Sequence, residues 1–426
     1  MPGPGPDRGR DADATRESTT PYQGVPVPTR RGFLDAIAGL GGLALSLALV
    51  DQIRLGGIDA DTPSPDTWPL RGYDPGATAG NLVARPPTDP EIDWRNDSLS
   101  ASRTVPVRLV VGPDAVYAAG IGVVALDRAD GTRQWGVDDP GGNLAVHDGT
   151  LAVETGARGA IRGFATDGTE RWTTDVSGDV SSLVAADGTL FVGGTTGIYG
   201  VDVDSGSRRW ADGDDWADQV FVTDGRLVTV NDVGIHSHRR RSVLDVPTGS
   251  PPSVAWRSSV GSLTVAATDG GLVAGCTPRR DGDPPLIAFD HAGTVRWRAL
   301  EDATNDVFGA ARLATTDDHC VAALSLDGDR PDYAITSHRL GDGSRDWRQG
   351  VDRRVSDLAV VDGAVLVATR TADEATADAT GAVRALALDD GRERWRVPVD
   401  PGCRSIAPVD GTVFAVTTDE RVIAIR

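Results

Sequence analysis

The chain has 426 residues, 62 of them acidic and 42 basic, for a formal net charge of -20; so anionic a surface argues against a nucleic-acid partner, whose phosphates demand basic contacts. With 52 glycines, 26 prolines and only 5% aromatic residues, short strands and tight turns are favoured over long helices. Cys276, Cys320 and Cys403 lie far apart with no CxxC spacing, which excludes a zinc or redox motif and reads them as small buried hydrophobes.

Residues 1–29 are rich in Pro, Gly and charge, a disordered composition. Arg30 and Arg31 follow, then Gly-Phe-Leu and an uncharged run over 36–50, shorter than the roughly 20 residues a membrane span requires. Residues 30–50 thus resemble a twin-arginine export signal or anchor. The implied localisation is exported, either extracellular or tethered to the outer face of the cytoplasmic membrane, with this segment the sole membrane contact. No lysine occurs anywhere in the chain. Together with the Asp-rich loops, this resembles the proteins of extreme halophilic archaea, a GC-rich bacterial genome being the alternative. Residues 51–66 read as a linker and 67–426 as the folded domain.

Within that domain, a glycine is followed four residues later by tryptophan at Gly131/Trp135, Gly168/Trp172, Gly206/Trp210, Gly293/Trp297, Gly343/Trp347 and Gly391/Trp395. Upstream of each lies an apolar alternation such as VVALD (123–127) or IYGVD (198–202), the period-2 pattern of a strand feeding a hairpin. A second Asp-Gly turn precedes that strand, as in VHDGTLAV, AADGTLFV and PVDGTVFAV. Each unit is therefore a four-stranded antiparallel meander of about 40 residues, one blade of a propeller.

Trp94, Trp135, Trp172, Trp210, Trp256, Trp297, Trp347 and Trp395 end such units, which predicts an all-β, eight-bladed β-propeller. The last unit stops after its third strand at 422–426, while Trp94 sits on a lone strand. Pairing the two closes the ring and removes its open sheet edges. Between Trp210 and Trp256 the third turn is replaced by a longer insertion, so seven blades is the alternative count. On this reading each Trp lies on an outermost strand and packs as a structural interblade group, away from the axis.

Units such as ADGTLFVGGTTGIYGVDVDSGSRRW (186–210) resemble the PQQ-like repeat propellers, the superfamily of quinoprotein dehydrogenases and of the outer-membrane assembly lipoprotein of the β-barrel machinery. The stretch TWPLRGYDPGATAGN (67–81) is similar to the opening segment of archaeal members. Quinoprotein dehydrogenases carry an adjacent Cys-Cys pair and carboxylate and amide ligands for calcium. This chain has no adjacent cysteines, and none of those ligands maps onto it, so the expected cofactor is none, with PQQ and calcium as the alternative.

Among the six histidines, His147, His236, His238, His291, His319 and His338, only His236 and His238 share a strand face. No further ligand follows at a suitable spacing, so no metal site is expected; the adjoining Arg239, Arg240 and Arg241 form a candidate anion patch. No catalytic motif is present, and no catalytic residue can be named. Longer loops at 277–285, 326–332 and 371–381 fall on consecutive blades and one rim, the expected partner-facing sector. The sequence thus reads as a monomeric, noncatalytic binding or assembly scaffold with a protein partner at the cell surface. A PQQ-dependent dehydrogenase and an extracellular solute or polysaccharide sensor are the alternatives.

Overall fold

A computed structural model describes residues 57–60, 62–99, 107–139, 141–156, 159–213, 215–239, 253–259, 262–277, 284–299, 307–326, 333–371 and 380–426. The described chain is all strand and turn, arranged as eight sheets. Blade one spans 108–137, blade two 141–175, blade three 180–212, blade four 219–258, blade five 262–299, blade six 307–351 and blade seven 354–399. Blade eight joins the three C-terminal strands within 403–425 to the strand Ile92–Asn96. That strand pairs antiparallel with Val422–Ile425, and Glu91 and Arg426 exchange backbone hydrogen bonds beyond it. Blade four is complete, because Ile235–Arg239 pairs with Ser253–Ser258 across the insertion.

Strand alternation and turn chemistry account for the blade. The first turn carries Asp and Gly both at positive φ, as in Asp148 (44°) and Gly149 (73°) or Asp187 (50°) and Gly188 (61°), the two-residue hairpin geometry whose twist matches its strands. The first strand of each blade lies innermost, and neighbouring first strands contact one another around the whole ring. Cys276, Cys320 and Cys403 are buried in the core; burial pushes the Cys320 thiol up to about 12.

Each tryptophan lies on the outermost strand, opposite a small residue of the third strand: Ala424, Ala125, Gly163, Gly200, Ser237, Ala288, Ser337 and Ala385 for Trp94 through Trp395 in order. The missing side chain leaves room for the indole. The indole then reaches the third turn of the next blade: Nε1 of Trp94, Trp135, Trp172, Trp256, Trp297 and Trp347 donates to the carbonyls of Arg128, Thr166, Val203, His291, Leu340 and Leu388. The glycine of that turn lies against the ring, so a Cβ on Gly391 would come within 2.6 Å of Trp347. For Trp210 the corresponding turn of blade four lies outside the described residues, and blade eight has no third turn to meet Trp395. At roughly 200 Å² per indole and 25 cal/mol per Å², each contact is worth up to about 5 kcal/mol.

Candidate functional site

The propeller has an axis lined by edge strands, whose inward N–H and C=O groups need partners. At one mouth residues 65–79 provide them by winding once around the axis. The Pro65 carbonyl accepts from Asp410 of blade eight, Trp68 exchanges bonds with Val111 of blade one, and Pro69 accepts from Val146 of blade two. Leu70 packs into the blade-three core. Pro75, Gly76, Thr78 and Ala79 then accept from Val222, Ala267, Thr315 and Val360 of blades four to seven, at 2.6 to 2.9 Å. Val111, Val146, Val222, Ala267, Thr315 and Val360 all occupy one register, three residues before the end of the first turn. Blade eight has Pro408 there, with no N–H to offer, and the Asn81 side chain donates instead to the Pro408 and Pro65 carbonyls. Ile58, within the stretch 51–66 read from sequence as a linker, also touches the ring: its amide donates to the Gly225 carbonyl, and its side chain is buried.

Inside this closed mouth the tight turn Leu70–Tyr73 carries Arg71 at its tip. Arg71 is exposed to solvent, within electrostatic reach of Arg108, Arg312 and Asp357. One residue per blade, six before the end of the first turn, lies at a common level of the inner strands: Arg108, Asn143, Ser182, Gln219, Thr264, Arg312, Asp357 and Ser405. Several of these bridge to the next blade. Asn143 donates to Val180, Ser182 accepts from Val220, Arg312 Nε donates to Ser356 at 2.9 Å, and Asp357 accepts from Ile406 at 3.0 Å.

The charges on this ring are unequal. Arg108, then burial, pull the Arg71 guanidinium down to about 9. Burial lowers Arg108 against the opposing pull of Glu154. Burial raises the Asp357 carboxyl despite Arg312, whose Nε lies 3.9 Å from it. Toward the other mouth, at the starts of the first strands and ends of the second, Arg370 is lowered to about 10 by burial, then by Arg354 and Arg404. A chain with 62 acidic residues thus gathers arginines along one sector of its axis, in blades six to eight. Sequence reading missed these groups; counting six residues back from each first turn would have found the ring.

Of the residues singled out from sequence, Arg30, Arg31, Arg240 and Arg241 lie outside the described residues, as does most of the loops 277–285, 326–332 and 371–381. Arg239 ends the third strand of blade four. His291 and His319 lie at turns, His291 Nε2 contacting the Asp269 carbonyl and His319 Nδ1 the Asp318 carboxylate; His147 lies near Asp148. His338 is buried against the Gly343 carbonyl. His236 and His238 share a face, as alternation requires, and the structure brings Asp215 to them from the connection before blade four. That carboxylate was not foreseen, since it lies 21 residues upstream of His236. The described channel residues do not fit a quinone cofactor: the common level carries no aromatic ring to stack on it, and the three cysteines are buried in separate blades.

A family model described as outer membrane protein assembly factor BamB matches residues 119–240 and 331–426, together just over half of the chain. No curated protein sequence matches significantly. Among solved structures, BamB from Moraxella catarrhalis superimposes with a TM-score of 0.55 at 16% identity, over 78% of this chain and 97% of that one. Quinohemoprotein alcohol dehydrogenase ADHIIG from Pseudomonas putida HK5 gives 0.62 at 13% identity, over 85% and 80%. Sqt1 from Saccharomyces cerevisiae gives 0.57 at 11%, over 79% and 99%. At such identities the structural matches establish the fold alone, whereas the repeat match establishes kinship: the chain belongs to the family described as outer membrane protein assembly factor BamB.

Proposed function

We propose that this protein is a noncatalytic binding and assembly platform, exported to the outer face of the cell membrane through the Arg30–Arg31 signal. It engages a partner at the mouth of the channel opposite residues 65–79. The observation that carries this reading is the clustering of Arg354, Arg370 and Arg404 at that mouth in a chain of net charge -20. Clustered guanidinium groups offer charge-assisted contacts to carboxylates of a partner surface. The loops 277–285, 326–332 and 371–381 leave the ring at the same end, since they follow the second strands of blades five to seven. An assembly factor among the structural neighbours fits this reading. The dehydrogenase neighbour shares the fold, but the common level of the inner strands carries no aromatic ring and the chain has no adjacent cysteine pair.

Two measurements test the proposal. Deleting the three loops together should abolish capture of the partner from intact cells, and unchanged capture would refute the assignment of the rim. Titrating PQQ with calcium, followed by absorbance and dye reduction, should give no saturable complex; a stoichiometric, dye-reducing complex would overturn the noncatalytic reading.

A further inference from the structure

Blade four departs from the repeat at one interface. Where the third strands of blades one, two, three, five, seven and eight carry Leu126, Phe164, Val201, Phe289, Leu386 and Ile425, and blade six a single His338, it carries His238 and, two positions earlier, His236. Thr229 pairs with His236 and Leu227 with His238, and Leu227 belongs to the core shared with blade three. Both imidazoles therefore face blade three, where Asp215 enters from the connecting segment.

We propose that Asp215, His236 and His238 form a binding site for a divalent transition ion of the zinc class, held between blades three and four. His236 Nδ1 lies 2.9 Å and His238 Nε2 3.8 Å from Asp215 Oδ2, and all three ligand atoms lie within 4.8 Å of one another. Zinc bonds of about 2.0 to 2.2 Å in tetrahedral geometry place ligand atoms about 3.4 Å apart. The observed separations straddle that value, so closure on an ion requires side-chain shifts of about 1 Å or less. The site is buried and preorganised: Asp215, His236 and His238 are 9%, 8% and 0% exposed. The Trp216 amide holds the second carboxylate oxygen at 3.0 Å.

A second observation points the same way. The position of His238 is apolar in six other blades, so packing alone does not call for an imidazole there. Its Nε2, the nitrogen that faces Asp215, also meets Thr229 Oγ1 at 2.9 Å, and binding an ion exchanges that contact for a metal bond. Two neutral imidazoles and one carboxylate leave a fourth position for water, a donor set that zinc, cobalt and nickel accept. Asp212 and Arg257 also lie within electrostatic reach of His238 with opposite signs.

The test uses the full chain without a purification tag, stripped with chelator and returned to its working salt. Titration with Zn2+ by calorimetry, and with Co2+ by visible absorbance, should give one site per chain and a tetrahedral cobalt spectrum. Asp215→Asn, nearly isosteric, and His236→Gln should each weaken affinity about tenfold or more, with unchanged far-UV circular dichroism certifying the fold. Absence of saturable binding to the folded wild type would overturn the proposal. So would affinity unchanged in both variants, which would leave the three residues as a hydrogen-bonded structural pair and its neighbour.

Discussion

Gly391 and Gly149 share the same backbone strain but not the same surroundings, and that contrast isolates the interblade contact. Their φ angles are 72° and 73°, so alanine at either position incurs the left-handed cost of about 1 to 2 kcal/mol and the same gain from a stiffer unfolded chain. At Gly149 nothing lies within 4 Å of an added Cβ, whereas at Gly391 the Trp347 ring lies at 2.6 Å. Overpacking of that kind adds about 1 to 3 kcal/mol. Gly391→Ala is therefore expected to cost about 2 to 5 kcal/mol against about 1 to 2 for Gly149→Ala. In a Trp347→Ala background, itself about 3 to 5 kcal/mol less stable, the Gly391→Ala cost should fall to the Gly149 level. The double-mutant cycle thus yields a coupling of about 1 to 3 kcal/mol. Urea unfolding at fixed high salt measures all four states. Equal costs at the two glycines, or strict additivity with Trp347→Ala, would refute the account of the tryptophan contact.

Asn81→Ala removes both side-chain donations from Asn81, to Pro65 at 2.9 Å and Pro408 at 3.2 Å; a cost of about 1 to 3 kcal/mol is expected. Its mark is faster hydrogen exchange shared by the amides of Val146, Val222 and Val360, which the same segment covers. Buried His338 has its pKa lowered chiefly by burial. Below the unfolded value of about 6.5 the unfolded chain binds a proton the native state refuses, so stability falls as pH drops through that value toward the lower native one. His338→Phe, which copies Phe164 and Phe289 at the matching positions, should flatten that acid limb; an unchanged pH profile would contradict the assignment. Arg71→Gln relieves the like charge of Arg108, so it should stabilise the protein at low salt, with the gain vanishing at high salt as screening takes over.

The blades were legible because their signals are local: Asp-Gly turns such as Asp148-Gly149 and tryptophans such as Trp395 recur at fixed offsets from alternating strands. Closure by the strand at Trp94 was legible because the last unit visibly lacks a fourth strand. The circuit of residues 65–79 was not, since it is made by backbone groups, which leave almost no trace in side-chain identity. Pro408 is the one residue that hints at it, a proline tolerated in a strand because its missing donor faces the axis. The channel arginines escaped notice for a related reason: Arg108, Arg312 and Asp357 sit on separate blades and become neighbours only when the ring closes. Asp215 was invisible as a partner of His236 because the register of a connecting segment cannot be read from strand periodicity.

Site-resolved photocrosslinking on intact cells tests most directly whether the mouth lined by Arg354, Arg370 and Arg404 engages a partner. A photoreactive residue at Arg354, exposed at that mouth, is expected to capture a defined envelope protein. One at Val83, 73% exposed at the closed mouth, is expected to capture none. Equal capture from both positions, or capture from Val83 alone, would contradict the account.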